Sequence, residues 1–400
     1  MNTAHTAARD HRIDLVRGFA LMMIFINHIQ GNIVGELTSR NFGFSDAAEI
    51  FVLLAGVSSA FAYYRRYESG QPLYTTVRVW RRAGFLYTAH ILTSVLAVAL
   101  FAAASLYFAD PALKGQINIR PMLQDPAAGI LGLAALTHQL SFFNILPLYI
   151  ALLAMLPPIM FLYRLDVRLL LGVSIALYLA ASFWRINLPG FPAPDGWFFN
   201  PLCWQLLFVA GFCWGDMWRR GLVLPANRVL FWVCVSYLAF SLIWIRVDLA
   251  PYFPVYSGLG ELWGFSKMYL APFRLLHVLA LAYVIAMIPI GGWLRRVGPE
   301  NALVQMGRHA LPIFCVGSLL SMAFFILRTK TGESILLDVA VVMIGIAIQV
   351  ALARFLEWQA TSPAGQVGSK MATGFVAATP PVPPPVAQSF AVRGVVLPPA

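Results

Sequence analysis

Residues 13–34 read IDLVRGFALMMIFINHIQGNIV. The run is as long as an α-helix needs to be to cross a hydrocarbon core, about 20 residues at about 1.5 Å each. Apolar runs of similar length recur along the 400-residue chain, near 47–64, 83–107, 143–163, 167–184, 201–218, 229–246, 271–290, 309–327 and 335–356. The composition agrees. The chain is 60% hydrophobic and 11% charged with a mean hydropathy of +0.74, whereas a soluble domain is about 45–50% apolar and about 25% charged. An ordinary soluble enzyme, a disulfide scaffold and a disordered chain are excluded. The expected fold is an all-α polytopic membrane protein with about ten transmembrane helices.

The net charge of +11 does not point to nucleic acid, because the basic residues stand in short clusters between apolar runs. Alternating the connecting segments assigns 19 Lys and Arg to the side of the N-terminal tail and 9 to the other. The richer side belongs in the cytoplasm, so both termini are expected there. Cys203, Cys213, Cys234 and Cys315 lie inside apolar runs without a CxxC pair and read as small core residues. Residues 1–12 read as a cytoplasmic tail and 13–357 as the membrane domain, its first run an uncleaved span. Within it, 109–142 is an outer segment whose apolar stretch is too short to cross. Residues 358–400 turn polar and then proline-rich (TPPVPPPVAQ) and read as a disordered cytoplasmic tail.

Charges at membrane depth are expensive, so their positions carry information. Arg17 and His28 are eleven residues apart in the first run, nearly three helical turns, and share one face about 16 Å apart. Arg17 reads either as a snorkelling anchor or as a ligand group; an imidazole inside a span suits proton transfer. Asp46 and Glu49 have capping-box spacing, and Glu49 also matches the depth of His28, where a carboxylate can orient the ring. Arg78, Arg81 and Arg82 form a cluster that suits either phosphates or plain anchoring, with His90 about 12 Å deeper. In KMYLAPFRLLH, Pro272 suits a first helical turn, with Lys267 before it and Arg274 and His277 at i and i+3. His138, Asn144 and Glu261 fall near the outer face, while His5, His11 and His309 read as cytoplasmic surface or tail residues.

The run from Arg12 to His28, the segment NFGFSDAAEIFVLLAGVSSAFAYYRR, the stretch FNILPLYIALLAMLP and KMYLAPFRLLH, in that order, resemble the OpgC family. These are membrane acyltransferases associated with succinylation of osmoregulated periplasmic glucans. The chain is more distantly similar to the family-three membrane acyltransferases, whose Arg-x10-His and Arg-x-x-Arg signatures match Arg17 with His28 and Arg78 with Arg81. The resemblance implies a catalytic His28 and a donor site at Arg17, Arg78 and Arg81. Joined to the residue reading, it gives an inner-membrane O-acyltransferase with acyl-CoA, foremost succinyl-CoA, as donor and a periplasmic glucan as acceptor. His28 is then the general base, Glu49 orients it, and Arg82 and His90 extend the donor site. Asp46, Lys267, Arg274 and His277 surround the substrate, Arg274 gripping the free succinyl carboxylate. No bound cofactor, metal or nucleic acid is expected; the bilayer is. A secondary transporter or glycan exporter is the alternative.

Overall fold

The computed structural model describes residues 11–253, 257–288 and 297–362. Among them the regular structure is helical, without strands. One unit spans residues 1–354; of the other, 355–400, the described part begins with the last turns of the final helix. The proline-rich tail and His5 lie outside the described residues, as do most of the N-terminal tail and 289–296.

The main helices are α1 (His11–His28), α2 (Ala47–Ser59, extended by a π-helical turn at Ala60–Tyr64 to Glu68), α3 (Pro72–Tyr107) and α4 (Pro126–Ala134). They continue as α5 (Ile145–Leu165), α6 (Val167–Phe183), α7 (Pro201–Arg219), α8 (Arg228–Arg246), α9 (Pro272–Met287), α10 (Ala302–Arg308), α11 (Ala310–Thr331) and α12 (Ile335–Thr361). Every expected span coincides with a helix. Six helices are long and apolar enough to cross a bilayer: α2, α3, α5, α8, α11 and α12. Helices α6 and α9 are apolar but shorter.

Two boundaries depart from expectation for visible reasons. Helix α1 stops at His28 rather than running on towards Val34. The Asn32 amide donates to the Ile26 and Ile29 carbonyls at 2.9 and 2.5 Å, satisfying last-turn acceptors that a longer helix would have used. Gly31, at φ +74°, turns the chain away. Helix α3 starts at Pro72, so the arginine cluster expected in a loop is helical. Its 36 residues exceed what a hydrocarbon core needs.

Close helix crossings build the core. A Cβ on Gly18 of α1 would stand 1.9 Å from the Leu303 carbonyl oxygen, and one on Gly307 of α10 1.8 Å from that of Asp14. Helices α2 and α7 meet in the same way, through Gly56 against Phe208 and Gly211 against Leu53. Small residues that let backbones approach are how membrane helices gain packing without a hydrophobic drive between them. Gly307→Val is therefore expected to destabilise the bundle by about 1–3 kcal/mol or more, read as a lower melting midpoint in detergent. An unchanged midpoint would show that the crossing relaxes freely.

The segment 109–143 folds back on the bundle. Leu113, Ile117, Ile119, Leu140 and Phe143 pack with Ala97 and Phe101 of α3 and with Met322 and Ile326 of α11. This brings Phe142 to the end of α1, where its ring centroid lies 4.9 Å from that of His28.

Candidate functional site

At one end of α1 the Arg17 guanidinium turns into the bundle rather than towards headgroups. It pairs with Asp14 at 3.0 Å, donates to the Gly307 carbonyl at 3.3 Å and bonds the Ser58 hydroxyl of α2. The close α1–α10 crossing makes that carbonyl available. Around Arg17 opens a cavity of about 330 Å³. Arg17, Ser58, Arg82, Arg308 and His309 supply its polar lining. Phe51 of α2 and Ile145 and Leu146, the first residues of α5, line it as well, whereas His28 is outside its lining. Its lining combines basic side chains with apolar ones, Phe85, Leu86, Leu311 and Phe314 among them.

The cluster on α3 divides. Arg82 lines this cavity, while Arg78 and Arg81 are exposed on the helix and outside its lining. Arg78 stands 6.0 Å from the Tyr74 ring centroid instead. His90 is fully buried in α3, also outside that lining, and neither of its ring nitrogens has a hydrogen-bond partner among the described residues. His309, expected on the surface, is part of the cavity wall. Sequence reading missed Ser58, Arg308 and His309; the one available signal was a basic pair, Arg308 and His309, directly before the apolar run of α11.

At the other end, His28 is the last residue of α1. Its Nδ1 is buried and has no partner among the described residues. Asp46 caps α2, accepting from the Ala48 N–H at 2.8 Å, while Glu49 Oε2 accepts from the Asp46 N–H at 2.9 Å, so the capping box forms. The same carboxylates also pair across the bundle. Lys267 Nζ reaches Asp46 at 2.5 Å, and Arg274 reaches Glu49 Oε1 through Nη2 at 2.6 Å and Nε at 2.8 Å. Arg274 Nη2 lies a further 3.4 Å from Asp46.

Two expected contacts are thereby replaced. Glu49 was expected on His28, but it bonds Arg274 and the start of α2; equal depth on two helices does not make their side chains face each other. Arg274 was expected to hold a substrate carboxylate, but Glu49 and Asp46 already occupy it. His277, expected as a substrate donor, braces the loop before α2 instead. Its Nδ1 shares a 2.7 Å hydrogen bond with the Ser45 hydroxyl, and a Cβ on Gly43 would come within 2.1 Å of its Nε2. Of the outer residues, Asn144 meets Gln139 at 3.4 Å, Glu261 pairs with Arg185 at 3.0 Å, and His138 is buried. A buried Arg328–Asp338 pair at 2.7 Å, joining α11 to α12, went unread. Among the described residues no group of three or more His, Cys, Asp or Glu is placed to hold a metal.

These features define a helical membrane protein with a polar site inside its bundle. The chain belongs to the OpgC family: the family model described as OpgC protein matches residues 9–361. Membership implies a glucan-modifying acyltransferase. No curated protein and no solved structure matches the chain significantly.

Proposed function

We propose that the chain is a ten-span enzyme of the bacterial inner membrane, both termini cytoplasmic, that moves an acyl group from cytoplasmic acyl-CoA to hydroxyls of a periplasmic glucan. Succinyl is the acyl group the reading favours. The observation that carries it is the cavity whose lining joins the basic Arg17, Arg82 and Arg308 to apolar side chains such as Phe51, Ile145 and Leu146. A CoA thioester has the matching polarity, with anionic phosphates at one end and a neutral acyl-pantetheine arm at the other. Such a donor is larger than about 330 Å³, so its nucleotide part rests outside, against Arg78 and Arg81 on the exposed face of α3. Arginine suits phosphate through its planar fork of donors.

The arm extends towards the far end of α1, about 16 Å from Arg17. There His28 takes the proton of an acceptor hydroxyl as its oxygen attacks the thioester carbonyl. The tetrahedral intermediate collapses, the carbon–sulfur bond breaks, and the imidazolium returns the proton to the departing CoA sulfur. The His28 Nδ1 is buried and holds no hydrogen-bond partner among the described residues, which leaves its proton uncommitted to the fold.

Purified protein incubated with succinyl-CoA and a neutral β-glucan tests the reaction. The expected result is glucan gaining succinyl mass with stoichiometric release of CoA. Movement of glucan across a vesicle membrane with no CoA released would replace this reading with a transporter. Replacing Arg78, Arg81 and Arg82 together by alanine is expected to weaken CoA binding about tenfold or more at low salt, the loss shrinking as salt is added. Unaltered CoA affinity would reduce the cluster to a topology anchor.

A further inference from the structure

Beyond the donor cavity, two further cavities open near the His28 end of the bundle, and Arg40 lines both. The first, about 370 Å³, is walled by Asn32, Glu36, Arg40, Arg328, Glu333 and Asp338. The second, about 190 Å³, is walled by Arg40, Phe44, Asp46, Trp244, Phe265 and Arg274. The two therefore flank a single guanidinium.

Arg40 differs from its neighbours. Arg328 is engaged by Asp338 and Glu333, and Arg274 by Glu49 and Asp46. Arg40 is exposed and has no ion-pair partner among the described residues. It sits between the cavities with its donors uncommitted.

The lining selects a ligand class. Acidic and basic groups line each cavity together: Glu36, Glu333 and Asp338 with Arg40 and Arg328 in the first, and Asp46 with Arg40 and Arg274 in the second. Most of these charges already pair with one another, Arg328 with Asp338 and Glu333 and Arg274 with Asp46, so an anion finds little uncompensated positive charge beyond Arg40. A neutral polyol needs none, and each hydroxyl both donates and accepts, so carboxylates and guanidiniums serve it equally. The second cavity adds Phe44, Trp244 and Phe265, with the Trp244 and Phe265 rings 5.5 Å apart. Aromatic walls suit the apolar C–H faces of a pyranose ring. Polar groups for hydroxyls beside flat apolar walls for ring faces are what an oligosaccharide of neutral hexoses requires.

The cleft is also placed to deliver a hydroxyl. Asn32 is four residues beyond His28 in the chain and its amide donates to the carbonyl of Ile29, the residue next to His28. We propose that the two cavities joined at Arg40 form the acceptor cleft, binding consecutive glucose units of a neutral β-glucan so that a hydroxyl is presented to His28. This rests on the acyl-transfer reading and names where its second substrate sits.

The test uses the full chain in detergent and a short neutral β-linked glucose oligosaccharide, with binding followed by tryptophan fluorescence and by calorimetry. Arg40→Ala and Glu36→Gln are exposed substitutions remote from the donor cavity. Each is expected to weaken oligosaccharide binding by about tenfold and to raise the KM for glucan by a similar factor, with CoA affinity and melting midpoint unchanged. Trp244→Ala should do the same and also abolish part of the fluorescence response; Trp244→Phe should restore most of the affinity. Wild-type oligosaccharide binding in both Arg40→Ala and Glu36→Gln would overturn the cleft while leaving acyl transfer standing. Displacement of the oligosaccharide by inorganic phosphate or by vesicles rich in anionic lipid would overturn it too, making Arg40 an anion or headgroup contact. Arg40-dependent glucan binding without any acyl transfer by the wild-type protein would keep the cleft and remove the reaction.

Discussion

His28→Ala is expected to lower acyl transfer by about 10²–10⁴-fold, the range a positioned general base contributes, while CoA binding and the melting midpoint stay close to those of the parent. The two expectations follow from one geometry. The ring ends α1, lies beside Phe142 at 4.9 Å and leaves Nδ1 without a hydrogen-bond partner among the described residues. Removing it strands no donor or acceptor, so the fold loses little beyond ring contacts. In the proposed reading the donor's phosphates rest against Arg17, about 16 Å from the imidazole along α1, and against arginines of α3, so CoA binding is expected not to depend on His28. His28→Gln, which fills the space with a polar group unable to cycle a proton near neutral pH, should be as inactive as alanine. Turnover within twofold of the parent in either variant would take His28 out of the reaction.

How far this site could be read from sequence depends on which physical quantity carried each residue. The helices were legible because an apolar run of about 20 residues leaves few alternatives. Each expected span coincides with a helix, and the capping box of Asp46 and Glu49, a pattern of local spacing, formed as spaced. Depth along a helix was legible for the same reason. Lateral pairing was not. Glu49 and Arg274 are 225 residues apart, and only the packing of α2 against α9 makes them partners. Arg308 and His309 reach the Arg17 cavity because α10 crosses α1 at glycine contact distance, which no spacing announces. Arg78, Arg81 and Arg82 look alike as a string and share one helix face at i, i+3 and i+4, yet only Arg82 reaches the cavity wall.

The largest effect on stability is expected from Arg274. Its guanidinium holds one Glu49 carboxylate oxygen by a 2.8 Å hydrogen bond from Nε and a 2.6 Å ion-pair contact from Nη2, and Glu49 is fully buried. Arg274→Ala leaves that carboxylate without its main counter-charge in a site water does not reach. Removing one partner of such a pair costs about 3–5 kcal/mol, enough to lower the melting midpoint sharply and to reduce recovery of monodisperse protein. The double variant Arg274→Ala with Glu49→Gln should recover a large part of the loss, since the neutral amide has no charge to strand. Glu49→Gln alone keeps the size of the side chain and tests the other half of the pair. The cycle also separates structure from substrate choice. If Arg274 acts by anchoring α9 to α2, Arg274→Gln lowers transfer from succinyl-CoA and acetyl-CoA together, in step with the fall in folded protein. If Arg274 instead leaves Glu49 to grip a succinyl carboxylate, the loss falls on succinyl-CoA alone and the melting midpoint barely moves. The observed pairing favours the first outcome; a selective loss with an unmoved midpoint would refute it.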